Sequence, residues 1–419
     1  MAVNAHRAFE NSGAESYRKN LNPADKEINE LRDARDKVRL TLKTAFSEWE
    51  KRIDPAILFD NVAVASFAAG TPKPRLSPKF RGQGSYVYHT LNQPAHNPPQ
   101  EMDFDDGMFL PSSFISQDGN IHPIVASDGY FKLVEDALVP LCRREGWTLN
   151  PGRVRPSCVR VSLNNGRSHL DIALYAIPDD EFEELIEKAA MSTNASFADS
   201  AEAGEFLFSS VYDTIPLDEI MLAHREDGWK ISDPRELENW FVQAVKDHGE
   251  QVRRVSRYLK GWRDQTWFNC RLSSIALMAC SVRYFEENGV KYPGRDDQCL
   301  SDFLEKLPFY LREEIRNPVV EGRLDEGWDD GDRPCRREFV LKAEQLRDDF
   351  KVALASRDAD TATSRLRGIF GGHFPADVDL VDVEGGQSAA IVSSGVLGSL
   401  GASSDARSAV QIGGDDRYG

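Results

Sequence analysis

The chain lacks a basic surplus: over 419 residues, 51 Lys and Arg face 68 Asp and Glu, for a net charge of −17. Proteins that live by gripping nucleic acid carry a basic surplus or stripe. The balance therefore argues against activation by a duplex and leaves small nucleotides open. No run approaches the ~20 apolar residues that a membrane helix requires. The opening stretch MAVNAHRAFENSGAESYRKN has no apolar segment of the kind a secretory signal needs, and the expected location is the cytoplasm. None of the cysteines (Cys142, Cys158, Cys270, Cys280, Cys299, Cys335) forms a C-x-x-C pair, and no histidine stands at zinc-ligand spacing from them. Reduced, mostly buried thiols are expected, and a structural zinc is not.

What is there divides by texture. Residues 1–24 are polar, and their beginning is expected to be poorly ordered. Ile28, Leu31, Ala34, Val38, Leu42, Phe46 and Trp49 recur at three- and four-residue steps. They predict a helix over 25–53 capped by Asp25, long enough to run as a spine along more than one domain; an ordinary core-covering helix fits the same pattern. VAVASF at 62–67 reads as a short strand. The Pro- and Gly-rich TPKPRLSPKFRGQGSYVY at 71–88 reads as a loop running into a short helix. A strand is expected over 101–111, with Asp106 and Gly107 opening a turn. A helix follows over 127–146, capped by Ser127 or Asp128 and ended by Gly146.

Strands over 157–163 and 169–177 flank Asn164-Asn165-Gly166, a strong hairpin signal. Pro178 and the acidic residues after it predict a further helix, and 191–205 a loop. From Ser232 the pattern is helical: one run begins with a Ser/Asp cap and Pro234, others cover 270–287 and 297–316, and two lie between Pro334 and Phe370, with a loop at 317–333. Past about residue 384 the Gly/Ser/Ala-rich sequence reads as a flexible tail.

Three short patterns carry chemistry. In EMDFDDG, Asp103 and Asp105 are two apart on a strand and so share a face, while Phe104 points the other way into a core. Carboxylates so placed repel unless a cation lies between them, and hard Mg²⁺ suits them; a solvated acidic turn is the alternative. In HLDIALYAI, Leu170, Ile172, Leu174 and Ala176 make one apolar face and Asp171 begins the other. A metal shared with Asp103 and Asp105 would compensate its burial; a strand-edge Asp in water is the alternative. Gly84-Ser85 allows close approach to a phosphate at a helix N-terminus that Ser85 can cap, or is a plain turn.

The order of these pieces (G-S, short helix, D-x-D strand, later single Asp on a strand) resembles the polymerase-β-like nucleotidyltransferases. It resembles more closely the bacterial cGAS/DncV-like subgroup of the cyclic GMP-AMP synthase type. The matching runs are QGSYVY (83–88), TLN (90–92), EMDFDDG (101–107), HLDI (169–172), SDP (232–234), LKGWRD (259–264) and LSSIAL (272–277). The resemblance implies an α+β fold with a mixed sheet and flanking helices, a C-terminal helical domain and a long N-terminal spine helix. The expected divisions are 1–54, a catalytic core at 55–230, a helical domain at 231–376 closing the nucleotide cleft, and a tail at 377–419.

By the same resemblance, Asp103, Asp105 and Asp171 would hold two Mg²⁺ ions, and Gly84 and Ser85 would bind the donor triphosphate, with Lys260 and Ser274 at its far end. Tyr88 would stack on a base, and Gln83, Asp179 and Ser232 would line the base pockets. Read as residues alone, Lys260 belongs to a solvated basic helix face, Tyr88 is a half-buried core aromatic and Ser232 a helix cap. Relatives of this kind make a cyclic dinucleotide from ATP and GTP in anti-phage signalling, where the product acts on a downstream effector. Some end in a glycine joined to targets by a ubiquitin-like E1/E2 enzyme, and this chain ends in Gly419. The alternatives are cyclic di-GMP or another cyclic product, a linear template-free polymerase, which would want a basic RNA surface, and a catalytically silent nucleotide-binding scaffold.

Overall fold

The structure, a computed structural model, describes residues 2–12, 15–47, 77–111, 127–151, 154–163, 166–178, 215, 219–330 and 334–383. The strand expected at 62–67, the helix after Pro178, the loop at 191–205, Trp49 and the tail past residue 383 lie outside these residues; the first part of the tail expected at 377–419 is structured, with a 3₁₀ turn at Val378–Leu380 and with Leu380 and Val381 buried in the helical half. In chain order the elements are β1 (Val3–Asn4), α1 (His6–Phe9), α2 (Tyr17–Asn20), α3 (Asp25–Ser47), β2 (Lys79–Gln83), α4 (Gly84–Val87), β3 (Met102–Pro111), α5 (Ser127–Glu145), β4 (Thr148–Leu149), β5 (Cys158–Ser162), β6 (Ser168–Ile177), β7 (Met221–His224) and β8 (Gly228–Ile231). There follow α6 (Pro234–His248), α7 (Gln251–Thr266), α8 (Ser274–Asn288), α9 (Asp296–Arg312), α10 (Arg336–Leu354), α11 (Ala359–Phe370) and β9 (Asp382–Val383). This is the expected α+β arrangement: a mixed sheet with flanking helices, then helices.

The sheet runs β2-β3-β6-β5-β4, with β7 and β8 extending it beside the second half of β6. β3 and β6 are parallel; their neighbours are antiparallel. One face is apolar. Phe104, Met108, Leu170, Ile172 and Leu174 pack there against Leu31, Val38 and Leu42 of α3 and Phe131, Val134 and Leu138 of α5. Apolar residues at alternate positions on the strands meet apolar residues at three- and four-residue steps on the helices, which is why the two periodicities fit together.

Asp106 falls on this buried face. The expected turn at Asp106-Gly107 is not there, because β3 continues to Pro111, paired with β6 along its whole length and with β2 from Asp105 to Phe109. Asp106 is tolerated inside because Arg39 of α3 grips it at both oxygens, Nε–Oδ2 2.7 Å and Nη2–Oδ1 2.5 Å. The expected loop before the G-S pair also contains a strand, β2. Its sequence, KFRGQ, has little β-propensity; ladder bonding to β3 overrides that.

Three helix starts differ from expectation. α3 is opened by Glu27, whose carboxylate accepts from the Ala24 N–H at 3.0 Å, with Asp25 already inside the helix. Ser127 also lies inside its helix, and its hydroxyl donates to the His224 carbonyl. The helical run from Pro234 is broken in two at Gly249, whose φ of +83° a residue with a Cβ rarely adopts. The described residues near the chain's beginning, 2–12 and 15–24, are ordered. Val3, Phe9, Tyr17 and Leu21 are fully buried in the core of the helical half. Phe9 lies within a ring of Tyr17, Tyr258, Phe350, Phe370 and Phe374, and β1 pairs with β9.

Replacing Arg39 by Met removes the fork from a buried carboxylate and should cost about 3 kcal/mol. Denaturant unfolding measures it; a variant as stable as the wild type would show that the pair contributes nothing.

Candidate active site

The polar face of the sheet gathers the chemistry, and strand register does the gathering. Asp105 of β3 lies opposite Asp171 of β6, and Asp103 opposite His169. On the outer flanks Gln83 of β2 lies opposite Asp105, and Arg160 of β5 opposite Asp171. A single row, Gln83–Asp105–Asp171–Arg160, thus crosses four strands on one face. Further along, the same face turns apolar, with Phe109 and Tyr175 stacked at 4.8 Å.

Oxygens or nitrogens of Asp103, His169 and Asp171 all come within 4.8 Å of one another. His169 Nε2 is 2.9 Å from Asp103 Oδ1, and its Nδ1 is 2.7 Å from Glu101 Oε2. Arg160 donates two bonds to Asp171, Nε–Oδ1 at 2.7 Å and Nη2–Oδ2 at 2.5 Å. Asp105 has no cation paired with it among the described residues. Burial, then the charges of Asp103 and Asp171, push its carboxyl up to about 8. Burial works the same way on Asp103, but the bond and charge of His169 outweigh it and hold that carboxyl below its usual range. A raised carboxyl between two other carboxylates marks a cluster short of positive charge, and its oxygens suit a hard divalent cation.

Asp105 also leans on Gly84. The glycine has φ +67°, and a Cβ there would overlap the Asp105 carboxylate. Both facts require glycine. Ser85 follows it inside α4, whose cap position is Gln83, so the expected capping role of Ser85 is not realised and its hydroxyl is left for the cleft.

That cleft, about 840 Å³, separates the sheet from the helical half. Gln83, Gly84, Ser85, Tyr88, Asp103 and Asp105 line one side, and Ser232, Lys260 and Ser274 line the other. Arg160 faces the cleft in front of Asp171. Lys260 is not on a solvated face. It is buried, donates to the Thr90 carbonyl at 2.6 Å, and is pushed down to about 7 by burial and then by Arg263. Ser232 does not cap α6; Asp233 does, accepting from Arg235 N–H. Ser274 Oγ accepts from Arg263 Nη1 at 2.9 Å. Tyr88 is mostly buried, its ring near Phe241. Asp179 and Gly419 lie outside the described residues.

Arg160, His169 and Glu101 were not singled out as site residues from sequence. The Asn-Asn-Gly hairpin held the signal, because counting back from it sets Ser162 opposite His169 and Arg160 opposite Asp171.

Comparison with known proteins agrees with this geometry. The family model for the cyclic GMP-AMP synthase DncV-like nucleotidyltransferase domain matches residues 78–175. That for the cyclic GMP-AMP synthase C-terminal domain matches residues 249–382. The chain belongs to the DncV-like nucleotidyltransferases. It is 34% identical over 219 residues to the cyclic GMP-AMP synthase of Vibrio cholerae, covering 50% of this chain and 48% of that protein. It is 32% identical over 217 residues to a cyclic GMP-AMP synthase of Escherichia coli, covering 51% and 48%. The sequence match thus spans about half the length of these curated relatives.

The fold extends further. The V. cholerae di-nucleotide cyclase DncV in complex with GTP and 5MTHFGLU2 superposes with a TM-score of 0.74 at 24% identity, over 91% of this chain and 100% of that one. DncV bound to the linear intermediate 5′ pppA(3′,5′)pG gives 0.71 at 24%, over 91% and 99%. Among the described residues no helix is long and apolar enough to cross a membrane.

Gly84→Ala should destabilise the chain by about 1–3 kcal/mol. The close approach of Asp105 to Gly84 is wrong if the variant melts with the wild type.

Proposed function

We propose that this chain is a nucleotidyltransferase that joins ATP and GTP into a cyclic dinucleotide, cyclic GMP-AMP first among the candidates, with release of pyrophosphate. The observation that carries the reading is the cluster of Asp103, Asp105 and Asp171 on adjacent strands, short of positive charge, with Asp103 and Asp105 on one wall of a nucleotide-sized cleft and the buried Lys260 on the other. The sequence similarity to cyclic GMP-AMP synthases supports the product class.

Asp103, Asp105 and Asp171 would hold two Mg²⁺ ions, which when bound would neutralise the triphosphate and make an acceptor hydroxyl more acidic. The chain's own residues do the rest by positioning. Gly84 lets the backbone approach the donor phosphates, and Ser85 offers a hydroxyl. Lys260 and Ser274 bind the far end of the triphosphate, Tyr88 stacks on a base, and Gln83, Ser232 and Asp179 shape the base pockets. In the cell the reading is a cytoplasmic enzyme of anti-phage signalling whose product acts on a separate effector, with Gly419 as a site for an E1/E2-like conjugating enzyme.

Incubation with labelled ATP, GTP and Mg²⁺ should yield a product that resists phosphatase. Asp103→Asn should lower the rate about 100-fold or more. A phosphatase-sensitive product would point instead to a linear polymerase. No nucleotide consumption, or consumption indifferent to Asp103→Asn, would point to a silent nucleotide-binding protein.

Lys260 gives a second test. In the free protein at about pH 8 an amine titrating near 7 is mostly neutral, and an arriving triphosphate favours its charged form. Binding of a non-hydrolysable triphosphate should therefore take up a proton, seen as a dependence of the calorimetric heat on the buffer's ionisation enthalpy. Lys260→Met should abolish it; equal uptake in the variant would place the triphosphate elsewhere.

A further inference from the structure

The three carboxylates are compensated unequally. Asp103 has His169 and Asp171 has the Arg160 fork, whereas Asp105 has no cationic partner among the described residues. Arg160 is held by its backbone: its N–H donates to Asn150 Oδ1 at 2.9 Å, and β5 keeps it opposite Asp171. Among the described residues the side chain bonds to Asp171 alone, and it lines the cleft together with Ser85 and Lys260. A guanidinium that grips both oxygens of a carboxylate matches two oxygens of a phosphate equally well.

The geometry points to Arg160 as an internal counter-ion that occupies Asp171 until a nucleotide phosphate draws it away, freeing Asp171 for a divalent cation. This rests on reading the site as a metal-dependent nucleotidyl-transfer centre. Cation and guanidinium compete for the same two oxygens, so without nucleotide the cluster binds cations weakly. An incoming phosphate changes both terms together: it gives the guanidinium a new partner and adds oxygens that need the cation. Binding of nucleotide and of cation is then positively coupled through one side chain, and the coupling is reciprocal. Arg160 is thus a positioning residue whose removal has opposite effects on the two ligands. A residue that merely propped Asp171 in place for the metal would weaken cation binding when removed.

The test is Mn²⁺ affinity of the full chain without nucleotide, measured by titration calorimetry and by the electron paramagnetic resonance of free Mn²⁺. Arg160→Gln should bind Mn²⁺ about tenfold more tightly than wild type, opposite in sign to the roughly 10–100-fold loss that follows removal of a residue that orients a metal ligand. Adding Asp171→Asn should cancel the gain. Arg160→Gln should also bind a non-hydrolysable GTP analogue more weakly. If glutamine perturbs folding, Arg160→Lys, which keeps the charge but not the two-pronged bond, should show a smaller gain of the same sign. Equal or weaker Mn²⁺ binding by the variants, or unchanged affinity for the analogue, would overturn the inference. Failure of the underlying reading looks different: Mn²⁺ binding that is indifferent to Asp103→Asn in every background.

Discussion

Parallel pairing of β3 with β6 forces three carboxylates onto one face of two adjacent strands, and their mutual repulsion shapes what surrounds them. The register that sets Asp105 opposite Asp171 also sets His169 beside Asp103 and Arg160 beside Asp171, so each of those two acids meets a basic side chain from a neighbouring strand position. Asp105, without such a partner among the described residues, is left with its carboxyl pushed well above the ordinary range by burial and by Asp103 and Asp171. Closing the sheet's polar face with charge unbalanced in this way stores a demand for cations at one place. The apolar face bears the cost of holding the strands rigid, even gripping Asp106 with Arg39 so that β3 can run straight through.

The other wall of the cleft is held by a different device. The ordered N-terminal segment plugs into the helical half, where Asp296 accepts from Gln251, Arg254 and Tyr258 and its backbone N–H donates to His6 Nδ1. Asp297 accepts from the Ala5 N–H. The chain then passes directly into α3, which packs on the sheet. One continuous segment is thereby anchored on both sides of the cleft, and Arg81 of β2 meets Glu238 of α6 at 2.9 Å between them. Such anchoring fixes how far Lys260 and Ser274 stand from the carboxylates, which is the dimension that the proposed triphosphate would have to match.

Much of this was legible in the sequence because it rests on local periodicity. The alternation in HLDIALYAI, the D-x-D spacing and the Asn-Asn-Gly turn each dictate which way a side chain points. What was not legible depends on partners distant in the chain. KFRGQ becomes a strand only because β3 offers it a ladder. Asp106 can be buried only because Arg39 reaches it from a helix 67 residues earlier. Lys260 looks solvated in a run of basic residues, yet packing of α7 against the segment after α4 buries it on Thr90. The N-terminal stretch, polar on average, hides Val3, Phe9, Tyr17 and Leu21 at spacings too irregular to signal a core. The roles proposed for Gln83, Tyr88 and Ser232 rest on family resemblance and their place in the cleft, since nothing in their local sequence distinguishes a pocket wall from a core or a cap.

The central claim is that Asp103, Asp105 and Asp171 converge on divalent cations beside a nucleotide. Anomalous scattering from crystals of the chain grown with Mn²⁺ and a non-hydrolysable nucleotide tests it most directly. Peaks are expected between the three carboxylates and the triphosphate, with Ser85 against the phosphates. A nucleotide bound with no anomalous peak at these carboxylates, or with Asp171 still gripped by Arg160 and remote from the ions, would contradict it.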